Sequence, residues 1–383
     1  MTERRANPSM RSRPARRPWF AAMPAVALLV GCTSTPAATP GADGSGAPPS
    51  ATPSSGMADP SVSTATSASP APTPEPLAWH PLDAPGPQAR EDHTWTVDPT
   101  GSVAYLFGGR DGTTVFDDLW AFDLDDDAWT QVAADGGPAA RFGQEAVWVD
   151  GIGLVFFAGQ AGPVFFNDLW AFDPASASWR QLPAAGDVPV ARYGSCAALG
   201  PDGRLWISHG FTSDGTRFAD TRAYDFESAA WTDETPEGNL PVSRCLHGCW
   251  FTADGELALF GGQTTGVTAL DDRWLLGADG WVRVDGAVPA ARNLYARARV
   301  GTATLVVGGQ ALAGDRLADT WLLLDGEADA VPVEIEGDEP PGRSGAELVV
   351  DSDRGRVLLF GGLGEAGALA DTWELHAESL IGR

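Results

Sequence analysis

Three of the four cysteines carry the first candidate chemistry, because Cys196, Cys245 and Cys249 could form a disulfide or bind a metal ion. Zinc prefers thiolate and imidazole ligands, and His247 lies between two of these thiols. The absence of a Cys-x-x-Cys pair disfavours a zinc site. In an oxidising compartment Cys196 pairs with either Cys249 or Cys245, which leaves one thiol over. The interpretation is a disulfide, with no metal ion and no cofactor.

Carboxylates offer the second candidate chemistry. The acidic run DLDDDAW, residues 123–129, spaces Asp123, Asp125 and Asp127 as a calcium loop would. The glycine and the closing glutamate of an EF-hand are missing, so we interpret the run as a solvated hairpin turn. A glycosidase would need two carboxylates that face each other. The 51 acidic residues are too many for the sequence to single out such a pair.

An internal repeat predicts the secondary structure elements that position these groups. The hexapeptide DLWAFD occurs at residues 118–123 and again at 168–173. A Pro-x-x-Arg tetrad recurs six times, with 51, 51, 52, 48 and 51 residues between successive arginines. The arginines are Arg90, Arg141, Arg192, Arg244, Arg292 and Arg343. A period of about 50 residues indicates a repeat architecture.

Each repeat unit predicts four short strands. An apolar run follows the arginine, a second ends in a pair of small residues such as Gly108 and Gly109, and a third carries Asp-x-Trp. A fourth run contains a closing tryptophan in four of the units. Gly, Pro and Asp turn signals bound these runs, as expected for strands joined by hairpins. Four-stranded units that repeat radially form a β-propeller.

The paired glycines, the downstream Asp-x-Trp and the Pro-x-x-Arg lead resemble the Kelch repeat family over residues 77–383. The resemblance implies an all-β, six-bladed propeller with four antiparallel strands per blade. The last unit lacks a closing strand, and Trp79 lies 11 residues before Arg90, as Trp281 does before Arg292. We therefore predict that the N-terminal strand around Trp79 closes the sixth blade and protects its edge. The repeated arginines and aspartates are expected to pair within or between blades.

The loops between the second and third strands supply the candidate ligand-binding residues. Strand direction places these loops at the channel mouth, on the same face as the Pro-x-x-Arg connections, which Kelch propellers typically use for partners. Amide, aromatic and arginine side chains suit protein or sugar recognition. The candidates are Arg110, Gln160, Phe165, Phe166, Phe211, Arg217, Gln263, Gln310 and Arg316. The alternative is that they are ordinary polar loop residues.

The N-terminal region differs from the repeats. Residues 1–31 hold six arginines followed by the apolar stretch WFAAMPAVALLVG, a pattern typical of a secretion signal. LVGC resembles the lipobox of bacterial lipoproteins, which implies lipidation of Cys32. Residues 32–76 are almost entirely Ser, Thr, Pro, Ala and Gly and predict a disordered tether. The prediction is an exported lipoprotein on the outer leaflet of a bacterial cell membrane, or a secreted protein if the lipobox is not used.

Charge and composition narrow the partners. The net charge of −26 argues against nucleic acid and against anionic lipid. We predict a monomeric binding module, attached to the membrane by the lipid anchor alone, which recognises a protein or glycan of the cell envelope at the channel mouth. The alternative is a carbohydrate-active enzyme, or one resembling galactose oxidase, a Kelch-repeat protein whose copper site needs Tyr and His ligands. Clustered carboxylates of shifted pKa would favour the enzyme.

Overall fold

A computed structural model describes residues 77–266 and 269–381. The predicted signal peptide, the predicted lipidation site Cys32 and the predicted tether all lie outside the described residues. Strand β1 (Trp79–Leu82) begins the fold. Within the described residues, six sheets follow one another in chain order, one for each repeat unit.

The strands of the six blades are as follows. A strand of two residues belongs either to a short hairpin within a loop or to the edge of a blade's sheet. The first blade contains β2 (Thr94–Val97), β3 (Val103–Phe107), β4 (Arg110–Asp111), β5 (Thr114–Val115), β6 (Leu119–Asp123) and β7 (Ala128–Val132). The second contains β8 (Glu145–Val149), β9 (Gly153–Phe157), β10 (Gln160–Ala161), β11 (Val164–Phe165), β12 (Leu169–Asp173) and β13 (Ser178–Leu182). The third contains β14 (Ala185–Gly186), β15 (Cys196–Leu199), β16 (Leu205–Ser208), β17 (Thr221–Asp225) and β18 (Ala230–Asp233).

The remaining three blades follow the same plan. The fourth contains β19 (Gly248–Phe251), β20 (Leu257–Phe260), β21 (Arg273–Gly277) and β22 (Gly280–Val284). The fifth contains β23 (Arg292–Asn293), β24 (Ala296–Val300), β25 (Ala303–Ala311), β26 (Arg316–Leu324) and β27 (Val331–Pro332). The sixth contains β28 (Glu347–Asp351), β29 (Arg356–Phe360), β30 (Leu363–Gly364), β31 (Gly367–Ala368) and β32 (Thr372–His376), before the short helix α1 (Glu378–Ile381).

The propeller closes as the sequence predicts. Strand β1 pairs antiparallel with β32, with Trp79 opposite Leu375, so the N-terminal strand is the outermost strand of the sixth blade. Trp79 is 1% exposed and packs in a core that includes Leu305 of the fifth blade. The fifth blade has no closing tryptophan, and the short β27 takes the outer position there. The predicted six-bladed, antiparallel propeller closed by the strand around Trp79 is therefore confirmed.

The closing tryptophans pack between neighbouring blades. Trp179 of the second blade lies 5.3 Å, ring centre to ring centre, from Phe107 of the first. Trp231 of the third blade lies 5.0 Å from Phe157 of the second. Burial of one such aromatic side chain contributes about 4–6 kcal/mol at 25 cal/mol per Å². The repeated tryptophans therefore hold successive blades together.

A second contact joins the first and sixth blades at the face opposite the channel mouth. The buried Arg356 of β29 forms ion pairs with Asp127 at 2.6 Å, Asp351 at 2.9 Å and Glu374 at 2.9 Å. Arg354 pairs with Asp125 at 2.9 Å. The acidic run forms the hairpin turn between β6 and β7, as predicted, and its exposed side is also bound by two arginines of the sixth blade.

Candidate functional site

Six buried arginines and six aspartates form one repeated ion pair in each blade. Each arginine is at most 2% exposed and binds its aspartate through two N–H groups, with closest N–O distances of 2.6–2.8 Å. The same guanidinium donates to the carbonyl that ends the second strand, as Arg141 does to Ala158 at 3.0 Å. The pairs are Arg90–Asp118, Arg141–Asp168, Arg192–Asp220, Arg244–Asp272, Arg292–Asp319 and Arg343–Asp371.

These ion pairs are structural elements of the fold. Burial opposes ionisation of each aspartate most strongly, but the hydrogen bonds and the charge of the arginine, together with the other hydrogen bonds to the carboxylate, outweigh it and hold the pKa below its usual range. In five blades the indole N–H of the Asp-x-Trp motif donates to the same carboxylate, as Trp120 does to Asp118 at 2.7 Å. Because every blade repeats the arrangement, functional residues must be sought where the blades differ.

Six backbone positions, one from each blade, surround the channel just below the mouth. In every blade the residue two positions after the repeated arginine has φ between 50° and 65°. Backbone hydrogen bonds link neighbouring members, including Gly143 to Asp92 at 2.7 Å and Gly345 to Leu294 at 2.8 Å. The six residues are Asp92, Gly143, Gly194, Leu246, Leu294 and Gly345. We call them the channel ring.

An aromatic group with two arginines lies above one side of the channel ring. The ring centre of Tyr193 lies 5.4 Å from that of Phe142 and 5.2 Å from that of Phe211, and Phe165 lies 5.6 Å from Phe211. The guanidinium of Arg110 lies 4.3 Å above Phe142, and that of Arg217 lies 5.8 Å from Phe211. We call these six side chains the mouth patch: Arg110, Phe142, Phe165, Tyr193, Phe211 and Arg217.

Four of the nine predicted face residues belong to the mouth patch: Arg110, Phe165, Phe211 and Arg217. The structure places the others elsewhere. Phe166 lies 4.0 Å from the guanidinium of Arg141 and so supports the repeated ion pair. Three glutamines bond within their own blades: Gln160 donates to Gly162, Gln310 to Gly314, and Gln263 to the Cys245 thiol. Arg316 begins β26 in the fifth blade.

Two carboxyl groups of the first blade, which the sequence did not single out, hold Arg110 in place. Arg110 lies 3.1 Å from a carboxylate oxygen of Glu91 and 3.2 Å from one of Asp92. The Tyr193 hydroxyl also donates to Asp92, at 2.9 Å. Burial and the neighbouring Asp92 raise the pKa of Glu91 to about 7, and burial raises that of Asp92. The ring of Tyr193 packs against Gly143 of the second blade. A Cβ atom on Gly143 would lie 1.8 Å from that ring.

A second charged group crosses the channel below the channel ring. Arg297 of the fifth blade reaches Glu145 of the second blade, directly opposite, with an N–O distance of 3.6 Å. Its Nε also donates to the carbonyl of Cys249 at 3.2 Å. Burial raises the pKa of Glu145 to about 7 and that of Glu347 in the sixth blade to about 8. The structure thus supplies the inward carboxyl pair that the sequence could not locate.

The three charged side chains divide the channel into two spaces. An upper cavity of about 60 Å³ lies between them and the channel ring. A lower chamber of about 480 Å³ extends from them along the inner strands, and Trp148, Trp250 and Phe251 form part of its wall. Glu145, Arg297 and Glu347 line both spaces. The channel therefore contains a polar constriction with a roomy chamber on the side away from the mouth.

The cysteines of the third and fourth blades form one disulfide and leave one free thiol. Cys196 and Cys249 form a disulfide between the inner strands of the third and fourth blades, with Cα atoms 5.7 Å apart. Cys245 is a buried thiol whose pKa is raised by burial. Among the described residues, no group of three or more His, Cys, Asp or Glu side chains has the geometry to hold a metal ion. The described residues also contain no helix long and apolar enough to cross a membrane.

Comparison with known proteins identifies the repeat. Residues 73–262 match the family described as KLHDC2/KLHL20/DRC7 Kelch-repeats domain. The tRNA wybutosine-synthesizing protein 4 of Emericella nidulans is 33% identical over 205 residues, which are 48% of this chain and 18% of that protein. Its Aspergillus fumigatus namesake is 30% identical over 51% of this chain and 19% of its own length. An F-box/kelch-repeat protein of Arabidopsis thaliana is 28% identical over 38% of this chain and 33% of its own length.

These relatives correct one prediction and establish another. Two fungal proteins named for tRNA wybutosine synthesis point away from an exported lipoprotein on a bacterial cell membrane, so that localisation was wrong. It depended on a basic stretch before a short apolar stretch, which is a compositional pattern without a specific catalytic or structural motif. The chain spans at most a third of the length of these relatives. Taken with the fold, the match establishes that this chain carries a Kelch-repeat domain, folded as a six-bladed β-propeller.

Proposed function

We propose that the propeller is a recognition module that binds a partner protein through the mouth patch. The observation that carries this proposal is the row of aromatic rings from Phe142 to Phe165, flanked by Arg110 and Arg217. Aromatic and arginine side chains are enriched at protein interfaces, and here Phe165, Phe211 and the two arginines are partly exposed, whereas Phe142 and Tyr193 are buried. The patch draws on the first three blades, whereas the repeated ion pairs occur in all six.

Arg217 defines the chemistry of the partner. Arg110 is neutralised by Glu91 and Asp92, but Arg217 forms no ion pair with another described residue. It donates one hydrogen bond to Thr265 at 3.3 Å, and its ring contact with Phe211 holds the guanidinium at the edge of the aromatic row. We expect a peptide segment that sets a carboxylate against Arg217 and an apolar side chain against Phe165 and Phe211.

The known relatives support a module that serves a larger protein. In each of them the region similar to this chain is a minor part, at 18%, 19% and 33% of the length. A recognition domain is compatible with both the tRNA wybutosine-synthesizing proteins and the F-box/kelch-repeat protein. Nucleic acid is not the proposed ligand, because the net charge is −26.

A carbohydrate-active enzyme is the second candidate, and the carboxyl pair of Glu145 and Glu347 is the observation that favours it. Glycosidases use one protonated and one ionised carboxyl group on either side of the scissile bond. The two glutamates have raised pKa values and border a chamber of about 480 Å³. The mouth patch favours the first candidate, because its aromatic rings and arginines match a protein interface without requiring a reaction.

Selection from a displayed random peptide library on the full-length chain tests the proposal. We expect enriched peptides that share an acidic residue near an apolar one and that bind the Phe165→Ser/Phe211→Ser variant at least tenfold more weakly. The Gln263→Ala/Gln310→Ala variant, altered on the other side of the mouth, is the matched control and should bind normally. Peptides that bind both variants equally, or no enriched motif, would overturn the assignment to the mouth patch.

A further inference from the structure

The upper cavity contains more hydrogen-bond acceptors than its surroundings satisfy. Several side chains that line it are at least nine-tenths buried and hold polar atoms without a hydrogen-bond partner. They are Asp92 Oδ1, Gln144 Oε1, Ser195 Oγ and both ring nitrogens of His93 and His247. Burial keeps both imidazoles neutral by lowering their pKa values, so each supplies one acceptor and one donor. A ligand that fits this cavity must bring N–H or O–H donors.

The charges at the constriction leave one carboxyl group without a direct contact to an arginine. Arg297 pairs with Glu145, and Arg110 pairs with Glu91 and Asp92 on the mouth side. The other arginine of the inner strand, Arg299, is held by Asp325 at 2.6 Å. Glu347 forms no hydrogen bond and no ion pair within 4 Å among the described residues. Arg297 therefore balances two carboxyl groups, Glu145 and Glu347, but lies within ion-pair distance of Glu145 alone.

The size of the lower chamber limits the shape of a ligand that the channel can hold. Its volume of about 480 Å³ accommodates a stem of several carbon atoms, and its wall includes Trp148, Trp250, Phe251 and Val350. The upper cavity, at about 60 Å³, admits only a compact head group. A primary ammonium has three donors, one positive charge and roughly the size of a water molecule.

We propose that the channel is a binding site for a primary alkylammonium group, whose stem occupies the lower chamber and whose head group contacts Glu347 and Asp92 at the constriction. The amine is either a free alkylamine or the side chain of a lysine on a partner protein. This site shares only Tyr193, which lines the upper cavity, with the mouth patch, and it does not depend on the function proposed above.

Binding should release a proton. Glu347 faces Arg297, Glu145 and Asp92, and its pKa of about 8 keeps much of it protonated at neutral pH while the site is empty. Burial accounts for most of this rise, and only Arg297 opposes it. An ammonium beside the carboxyl group favours its ionised form. Affinity should therefore increase as the pH rises from about 6 to about 8.5, since the ammonium stays charged in that interval.

Titration calorimetry of the full-length chain tests the site, with n-butylamine, neutral n-butanol and N-acetyl-lysine methylamide as probes. We expect n-butylamine to bind at a single site with proton release, seen as a dependence of the heat on buffer ionisation enthalpy. Glu347→Gln should weaken binding at least tenfold. Glu365→Gln, an exposed substitution in the same blade, is the matched control. Binding of the lysine derivative as well would identify the protein-borne source, and binding of n-butylamine alone the free amine.

Three outcomes would overturn the proposal. Equal binding of n-butanol would show an apolar pocket without charge recognition. Unchanged amine affinity in Glu347→Gln, with the fold verified by circular dichroism, would place the amine elsewhere. Binding of an oligosaccharide that Glu347→Gln abolishes, without amine binding, would support the carbohydrate-active enzyme. The Phe165→Ser/Phe211→Ser variant should bind n-butylamine normally, so failure of the mouth patch and failure of the channel site are distinguishable.

Discussion

The repeated ion pairs and the channel differ in one respect that separates structure from function. Every blade places a buried arginine on an aspartate in the same geometry. The positions one to five residues after that arginine carry a different set of side chains in each blade. No other blade has a glutamate at the position of Glu91, a tyrosine at that of Tyr193 or an arginine at that of Arg297. Features present six times stabilise the ring, and features present once make its two faces and its channel distinct.

The largest expected effect concerns a repeated position. Arg141→Ala leaves Asp168 without its partner and the Ala158 carbonyl without its donor, so the free energy of unfolding should fall by about 3–5 kcal/mol. Urea unfolding followed by tryptophan fluorescence measures this. Arg283→Ala, at an exposed pair with a distance of 3.5 Å, is the control and should leave stability unchanged. Equal effects of the two substitutions would contradict a structural role for the ion pair.

A smaller effect is expected at a position where the second blade accommodates a unique contact. Gly143→Ala would set its Cβ 1.8 Å from the ring of Tyr193 and should displace the tyrosine from Asp92. We expect a loss of about 2–3 kcal/mol, measured by urea unfolding. Gly112→Ala, with nearly the same positive φ and no atom within 4 Å of the new Cβ, isolates the backbone strain. Addition of Tyr193→Ser should restore part of the loss, and failure to do so would exclude the ring as its cause.

The smallest effect concerns the pH dependence of stability. The folded state holds protons on Glu347 up to a pKa of about 8, whereas an unfolded glutamate releases them near 4.5. The folded state therefore binds more protons in this interval, and stability falls as the pH rises through it. Glu347→Gln removes this contribution, so the free energy of unfolding of the variant relative to the native chain should increase by about 1–2 kcal/mol between about pH 5 and pH 9, less than the full pKa change implies because the side chain is partly exposed to solvent. A constant difference in chemical unfolding experiments across this range would refute the shifted pKa.

Buried histidines act in the opposite direction at lower pH. The pKa values of His93 and His209 are lowered to about 3, mainly by burial, so the unfolded chain binds more protons than the folded one below about 6.5. Stability should therefore decline as the pH falls from 6.5 towards 3. This term is present in both the native chain and the Glu347→Gln variant, and it cancels in their difference.

The repeated features were predictable from the sequence because the same residue types recur at the same spacing in the repeat units. The Pro-x-x-Arg and Asp-x-Trp spacing predicted the paired arginines and aspartates, and the spacing of Trp79 predicted the closing strand. The mouth patch was predictable in part, since Arg110, Phe165, Phe211 and Arg217 follow the small-residue pairs. Tyr193 and Phe142 lie directly after repeated arginines and therefore outside the loops that supplied the candidate residues.

The channel group was not predictable, because its contacts join blades that are far apart in the chain. Glu145 and Arg297 come from opposite blades and meet only when the ring has closed. Neither occupies a position that is charged in most other blades, so the repeat gives no signal for their pairing. The same reason explains the acidic run at Asp125 and Asp127, whose arginine partners lie 229 residues later in the chain.

The pairing of β1 with β32 has a consequence for how the chain is made. Trp79 leaves the ribosome long before its partner Leu375 is added. At about 5–20 residues per second, the strand waits on the order of 15–60 s for its partner. Until then the first and last blades have open edges, which are templates for pairing with another chain. A newly made copy is therefore most prone to exchange strands with a neighbour in the interval before Leu375 is added.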